Sequence, residues 1–176
     1  EEMRAYPRSA IRNPGFYFRP GLTWPLRAAK FGPSILPRDS IFSARGYAII
    51  SDSDDLLELL GLGNSSAFDF IFKVMLGRYE YPEFIVGVLK KLPMPELNHS
   101  QVRALAEAAS VITSTKKEIR SGNEVEHCFS VPSLLHVEGD SLEERIYEWC
   151  QAVQSAVVKI EGQQSVVDSI GCAAYG

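Results

Sequence analysis

The sequence has no C-x-x-C pair, no apolar run near the roughly 18 to 20 residues that a membrane span needs, and no basic-then-apolar leader. Its three cysteines, Cys128, Cys150 and Cys172, are widely spaced and odd in number, which excludes a zinc ribbon or a disulfide framework and reads as reduced cytosolic thiols. Catalytic signatures are equally scarce. There is no Gly-x-Ser-x-Gly elbow to hold a strained nucleophile, and no Glu-x-Lys or Asp-x-Lys pair to set metal-binding acids beside a nuclease lysine. His127 and Cys128 are adjacent, would point to opposite sides of an extended chain, and so predict no metal site. The only Asn-Pro, Asn13-Pro14, continues into Gly-Phe and reads as a turn.

What the chain does have is enough apolar material for a core: 176 residues, 45% of them hydrophobic, which fits one domain or one domain with an appendage. The net charge of −4 conceals an asymmetry. Residues 1–49 carry eight arginines and lysines against three acids, a balance of +5, whereas residues 50–95 come to −3 and residues 96–176 to −6. An arginine-rich front and an acidic back suit a one-sided contact with a polyanion.

The clearest pattern lies between Asp54 and Pro95. Two short apolar helices hinge at Gly61, Gly63, Asn64 and Ser65, with Ser53 or Asp54 capping the first and Asn64 or Ser65 the second. Phe68, Ile71, Phe72 and Met75 recur at i, i+3, i+4 and i+7, one buried helix face over residues 65–76. The β-formers Phe84, Ile85, Val86 and Val88 then predict a strand over residues 83–90, closed by Pro93 and Pro95.

Before this unit, Phe16 opens an alternating stretch that turns at Pro20-Gly21, and residues 34–50 read as further short strands punctuated by Pro37, Asp39 and Gly46. After it, Ser100 caps a helix over residues 100–120, a loop carries His127 to Pro132, and Asp140-Ser141-Leu142-Glu143 opens a helix over residues 141–160 that stops at Gly162. A last helix holds Val166, Val167 and Ile170. The prediction is an α+β fold: a small mixed or antiparallel sheet packed on short helices in residues 1–97, then a helical extension in residues 98–176 forming its own layer.

Several stretches carry a resemblance. Tyr17-Phe18-Arg19-Pro20-Gly21-Leu22-Thr23-Trp24 is similar to a Tyr-Phe-x-x-Gly-Ile-Thr-Trp signature; Asp39 to Gly46 to a Gly-x-Ile-Phe-x-x-x-Gly run lacking its first glycine; Leu57 to Ser65 to a Leu-rich helix ending Asn-Ser. With the Gly-x-Leu-Lys-Lys-Leu-Pro-x-Pro exit at residues 87–95 and the Ala174-Tyr175-Gly176 ending, they resemble the target-recognition region of adenine-specific DNA methyltransferases of the BREX and fused type II restriction–modification kind, and more distantly type I specificity subunits.

That resemblance implies double-stranded DNA as partner, in bacterial or archaeal cytoplasm. It also implies a catalytic domain that precedes this chain, binds S-adenosylmethionine and supplies the chemistry. The chain itself has neither the Asn-Pro-Pro-Tyr loop that grips a flipped adenine nor a Gly-rich cofactor turn, so it is expected to be an inert fragment with no cofactor of its own. Candidate DNA contacts are Arg19, Arg27, Lys30, Arg38, Arg45, Lys90 and Lys91 for phosphates or guanine, with Trp24 for a base. Lys116-Lys117-Glu118 and Arg145 read as solvated surface. The competing expectation is a scaffolding module for other subunits of a phage-defence complex, which the acidic helical tail favours.

Overall fold

The computed structural model describes Ile11 and residues 13–43, 45–51 and 55–176. Three short antiparallel strands, β1 (Gly21–Thr23), β2 (Ser34–Leu36) and β3 (Ala48–Ile50), form a sheet in the order β2-β1-β3. Helices α1 (Leu56–Gly63), α2 (Ser66–Leu76), the single-turn α3 (Val86–Leu89), α4 (His99–Arg120) and α5 (Leu142–Tyr175) follow. The fold is α+β, with its strands at the front and its long helices at the back. Ser53 and Asp54, the predicted caps of α1, and residues 1–10 lie outside the described residues.

The core is an aromatic knot. Phe31 sits at its centre, with ring centroids 5.3 Å from Trp24, 5.6 Å from Phe68, 5.1 Å from Phe72 and 5.5 Å from Phe84. Phe72 and Phe84 have no exposed surface at all. Such rings bring large apolar area and offset or edge-on contacts together, so a small sheet and two short helices gain a common anchor. Leu62, Leu105, Ala108 and Val167 belong to the same buried cluster, so residues on both sides of position 97 share it.

Gly21, a turn residue by its pairing with Pro20, is instead the first residue of the central strand. A Cβ there would collide with the Ile49 carbonyl of β3, so only glycine lets the strands close. The strand expected to open at Phe16 is absent, and Pro14–Phe16 forms a 3-10 turn instead. The strand expected over residues 83–90 is likewise replaced by a helical turn, α3. Phe84 donates its N–H to the Leu26 carbonyl and Arg27 and Glu83 form an isolated bridge, but no ladder continues. Burial of Phe84 and Leu92 fixes the two ends of this segment, and one turn of helix spans them more compactly than an extended chain.

Helix caps follow residue chemistry with small shifts. Ser65 caps α2 by accepting from the Phe68 N–H at 3.2 Å, while the Asn64 amide donates to the Pro33 and Leu60 carbonyls at 2.9 and 2.8 Å. Asn98, rather than Ser100, caps α4 in a reciprocal box with Gln101. Ser141 and Glu144 make the box at α5, one position later than Asp140 and Glu143.

The predicted stop at Gly162 does not occur, and α5 runs unbroken for 34 residues, about 50 Å. A glycine inside a helix costs only about 1 kcal/mol, which packing on both sides of it offsets. Residues 164, 167, 168 and 171 share one face, and that face docks on the α1–α2 hinge. Gln164 donates to the Asn64 carbonyl at 3.1 Å, and the Asp168 carboxylate accepts from the Ser66 N–H at 2.6 Å. Asp168 thus meets the positive end of α2. Gly171 lies against Ser65, whose Cβ and Oγ would be 2.6 Å from any added Cβ.

Among the described residues no single helix is long and apolar enough to cross a membrane. Together α1 and α2 would be, but they are bent by 72° and supply Leu60, Leu62, Phe68 and Phe72 to the core.

Candidate nucleic-acid interface

The sheet register sorts the basic candidates between its two ends. Gly21 pairs with Leu36 on one side and Ile50 on the other, so Arg19, just before β1, and Arg38, just after β2, flank the same end. There the Phe18 N–H donates to the Ser40 carbonyl at 2.9 Å and Tyr17 meets Phe42 edge-on at 5.2 Å. Arg19 is half-buried, its guanidinium 5.4 Å from the centre of the Phe16 ring, a cation–π contact that holds its head near the surface.

Thr23 pairs with Ser34 and Ala48 at the opposite end. Arg27 follows β1 here, Lys30 lies in the turn leading into β2, and Arg45 leads into β3, with the Thr23 hydroxyl donating to the Tyr47 carbonyl at 2.9 Å. All three are exposed. Arg27 pairs with Glu83 at 3.1 Å, but with side chains 66% and 43% exposed. A pair that open to water contributes at most about 1 kcal/mol, so it is easily broken. Lys90 and Lys91 are exposed as well and close the segment that the Arg27–Glu83 bridge begins.

Trp24 stands apart from the other candidates. Its residue is 4% exposed and its indole N–H donates to the Phe84 carbonyl at 2.9 Å, so it is part of the aromatic knot, with no face open to a base. The alternation that suggests a strand also explains this: Leu22 and Trp24 point to the core and Thr23 between them is half-exposed.

Arg145, solvated by its sequence pattern, is structural. Its guanidinium donates to the Gly139, Leu134 and Val137 carbonyls at 3.0 to 3.2 Å and ties the connector before α5 to the helix. Lys116 and Lys117 are exposed, as periodicity predicts, yet both line a cavity whose opposite wall comes from β2. No local pattern reveals that wall, because its residues lie about eighty positions earlier in the chain.

Among the described residues no group of three His, Cys, Asp or Glu side chains could hold a metal ion. No model of a known protein family matches the chain, and no curated protein matches it.

Proposed function

We propose that this chain is the DNA target-recognition region of an N6-adenine methyltransferase of the restriction–modification or BREX kind, acting in the cytoplasm on double-stranded DNA. The observation that supports it best is the placement of Arg27, Lys30 and Arg45, all exposed, in the two loops at the Thr23 end of the sheet, the first two in the β1–β2 connection and the third before β3. The rigid sheet and the knot beneath it would hold these loops in register against a duplex, where arginine can pair bidentately with guanine for about 1 to 3 kcal/mol of discrimination. In this reading methyl transfer and S-adenosylmethionine belong to the catalytic domain of the parent enzyme, and this region supplies the choice of site. Calorimetric titration of this chain with S-adenosylmethionine should give no heat of binding; micromolar affinity would contradict the assignment.

Retention on duplex DNA tests the reading as a whole. Phosphate contacts weaken steeply with salt, so retention at about 50 mM salt that disappears by a few hundred millimolar supports it, and salt-independent behaviour opposes it. A second reading, a scaffolding module for a defence complex, has its own observation: Phe70, Tyr79 and Tyr81 are 61%, 59% and 67% exposed, close together in the sequence after the hinge. Pull-down of partner subunits that fails after Phe70→Ser and Tyr81→Ser substitution, together with no DNA retention, would favour that second role.

A further inference from the structure

The basic front and the exposed rings leave unused a concave feature of the described residues. A cavity of about 590 Å³ lies between β2, α1, α4 and α5. Its floor is apolar, formed by Pro33, Leu60, Ala109, Ile112 and Val167. The mouth is basic: Lys116, Lys117 and Arg120 stand on the last turns of α4. Arg120 is paired with Glu126 at 3.7 Å, whereas neither lysine forms an ion pair with a described residue. The cavity differs from the Arg27, Lys30 and Arg45 surface in its apolar floor and its helical walls, and adjoins it at Pro33 and Ser34, which follow Lys30 in the chain.

We propose that this cavity is a binding site for a small amphipathic anion, an apolar body of roughly ten carbons carrying one carboxylate or sulfonate. Size argues for a small molecule, since ligand pockets generally span about 300 to 1,000 Å³. Charge selects the head. An acidic group at the mouth meets two ammonium groups that no described carboxylate holds, while its body covers Ile35 and Ile112, the part of the apolar lining that still faces water. A neutral apolar molecule would gain only the second of these, and a cation would be repelled. Nucleic acid fits the mouth but not the floor, because a phosphodiester backbone has no apolar body to place against Leu60, Ile112 and Val167.

Cys128 offers a reporter. It lies in the cavity wall with its thiol 3.9 Å from the Lys117 carbonyl, half-buried, whereas Cys150 and Cys172 are exposed on α5. The test uses 8-anilinonaphthalene-1-sulfonate as a fluorescent probe and decanoate, decanol and decylamine as competitors, with iodoacetamide labelling of the three thiols read by mass spectrometry. The site predicts one sulfonate probe per chain, displaced by decanoate at least tenfold more effectively than by decanol, and not by decylamine. Decanoate should slow labelling of Cys128 and leave Cys150 and Cys172 unchanged. Lys116→Glu with Lys117→Glu should weaken the probe at least tenfold, and Ile112→Trp should fill the floor and abolish binding. The charge-reversal variant alters only exposed positions, so it decides the matter even if Ile112→Trp does not fold. Absence of stoichiometric binding, equal affinity in the charge-reversed variant, or equal displacement by decanol would overturn the proposal. Displacement by a short duplex instead of decanoate would also overturn it, and would add α4 to the DNA-facing surface.

Discussion

The knot around Phe31 and the latch around Ser65 hold the same molecule together by opposite means. In the knot, five aromatic rings from four stretches of chain exclude water, and the polar groups involved are few: the Trp24 indole and the Phe31 N–H, which donates to Asp69 at 2.8 Å. In the latch, α5 reaches the α1–α2 hinge with little buried apolar surface of its own, since Val167 and Gly171 are its only buried residues among 34. Hydrogen bonds from Gln164 and to Asp168 and a glycine-sized gap supply the fit. Loss of area should therefore wound the first region, and loss of fit the second.

The largest effect expected is at the knot. Phe31→Ala removes the ring that meets four others and should lower stability by about 3 to 5 kcal/mol in urea unfolding, whereas Val158→Ala on the exposed side of α5 should change it by less than about 0.5 kcal/mol. Equal effects at the two positions would erase the distinction between the regions. At the latch, Gly171→Leu forces α5 away from Ser65 and should cost about 1 to 3 kcal/mol, with faster hydrogen exchange in the residue 164–175 amides ahead of the knot. If exchange in the two regions rose together, the latch would be part of one cooperative unit with the core.

Gly162→Ala sharpens the comparison in the opposite direction. No atom lies within 4 Å of the Cβ it would add, and the helix is continuous there, so the substitution should raise stability by about 0.5 to 1 kcal/mol in the same urea titration. The smallest effect concerns pH. Tyr175 is half-buried at the end of α5, donates to the Pro93 carbonyl at 3.1 Å, and burial raises its phenol above the ordinary value of 10.0. Because the folded pKa is the higher one, its contribution is complete below pH 10.0 and is lost as pH rises through the raised value. Urea midpoints should fall more between about pH 9 and pH 11 in the parent than in Tyr175→Phe; parallel curves would remove this link.

How much of this is written in local sequence depends on how far apart the cooperating residues are. The helical period of Phe68, Ile71, Phe72 and Met75 marks α2 to within a residue, and the Gly-Pro punctuation of residues 16–50 marks a small antiparallel sheet. Both signals are carried by neighbours. Residues 83–90 have the composition of a strand, but Phe84 and Leu92 are fixed by Leu26 and the distant knot, and tertiary placement overrides propensity there. Gly162 has the appearance of a break because its neighbours say nothing of the hinge, about a hundred residues earlier, that α5 must reach. The basic candidates are legible as a charge imbalance, but their division into two ends follows from strand register, and the burial of Trp24 from the knot. The lysines of α4 have the periodicity of a solvated face, and only the fold sets them over an apolar floor.

The DNA-recognition account rests on the Thr23 end of the sheet, and one measurement addresses it directly: the dependence of duplex affinity on salt for the full-length protein and for its Arg27→Ala, Lys30→Ala, Arg45→Ala triple variant. These exposed positions leave the knot untouched, so the fold should persist. Arg103→Ala and Lys159→Ala, exposed on α4 and α5, serve as controls. The account predicts weaker binding by the triple variant and a log–log salt slope flatter by about 0.9 for each phosphate no longer neutralised, with both controls unchanged. Identical affinity and identical slope in the triple variant and the parent would contradict it.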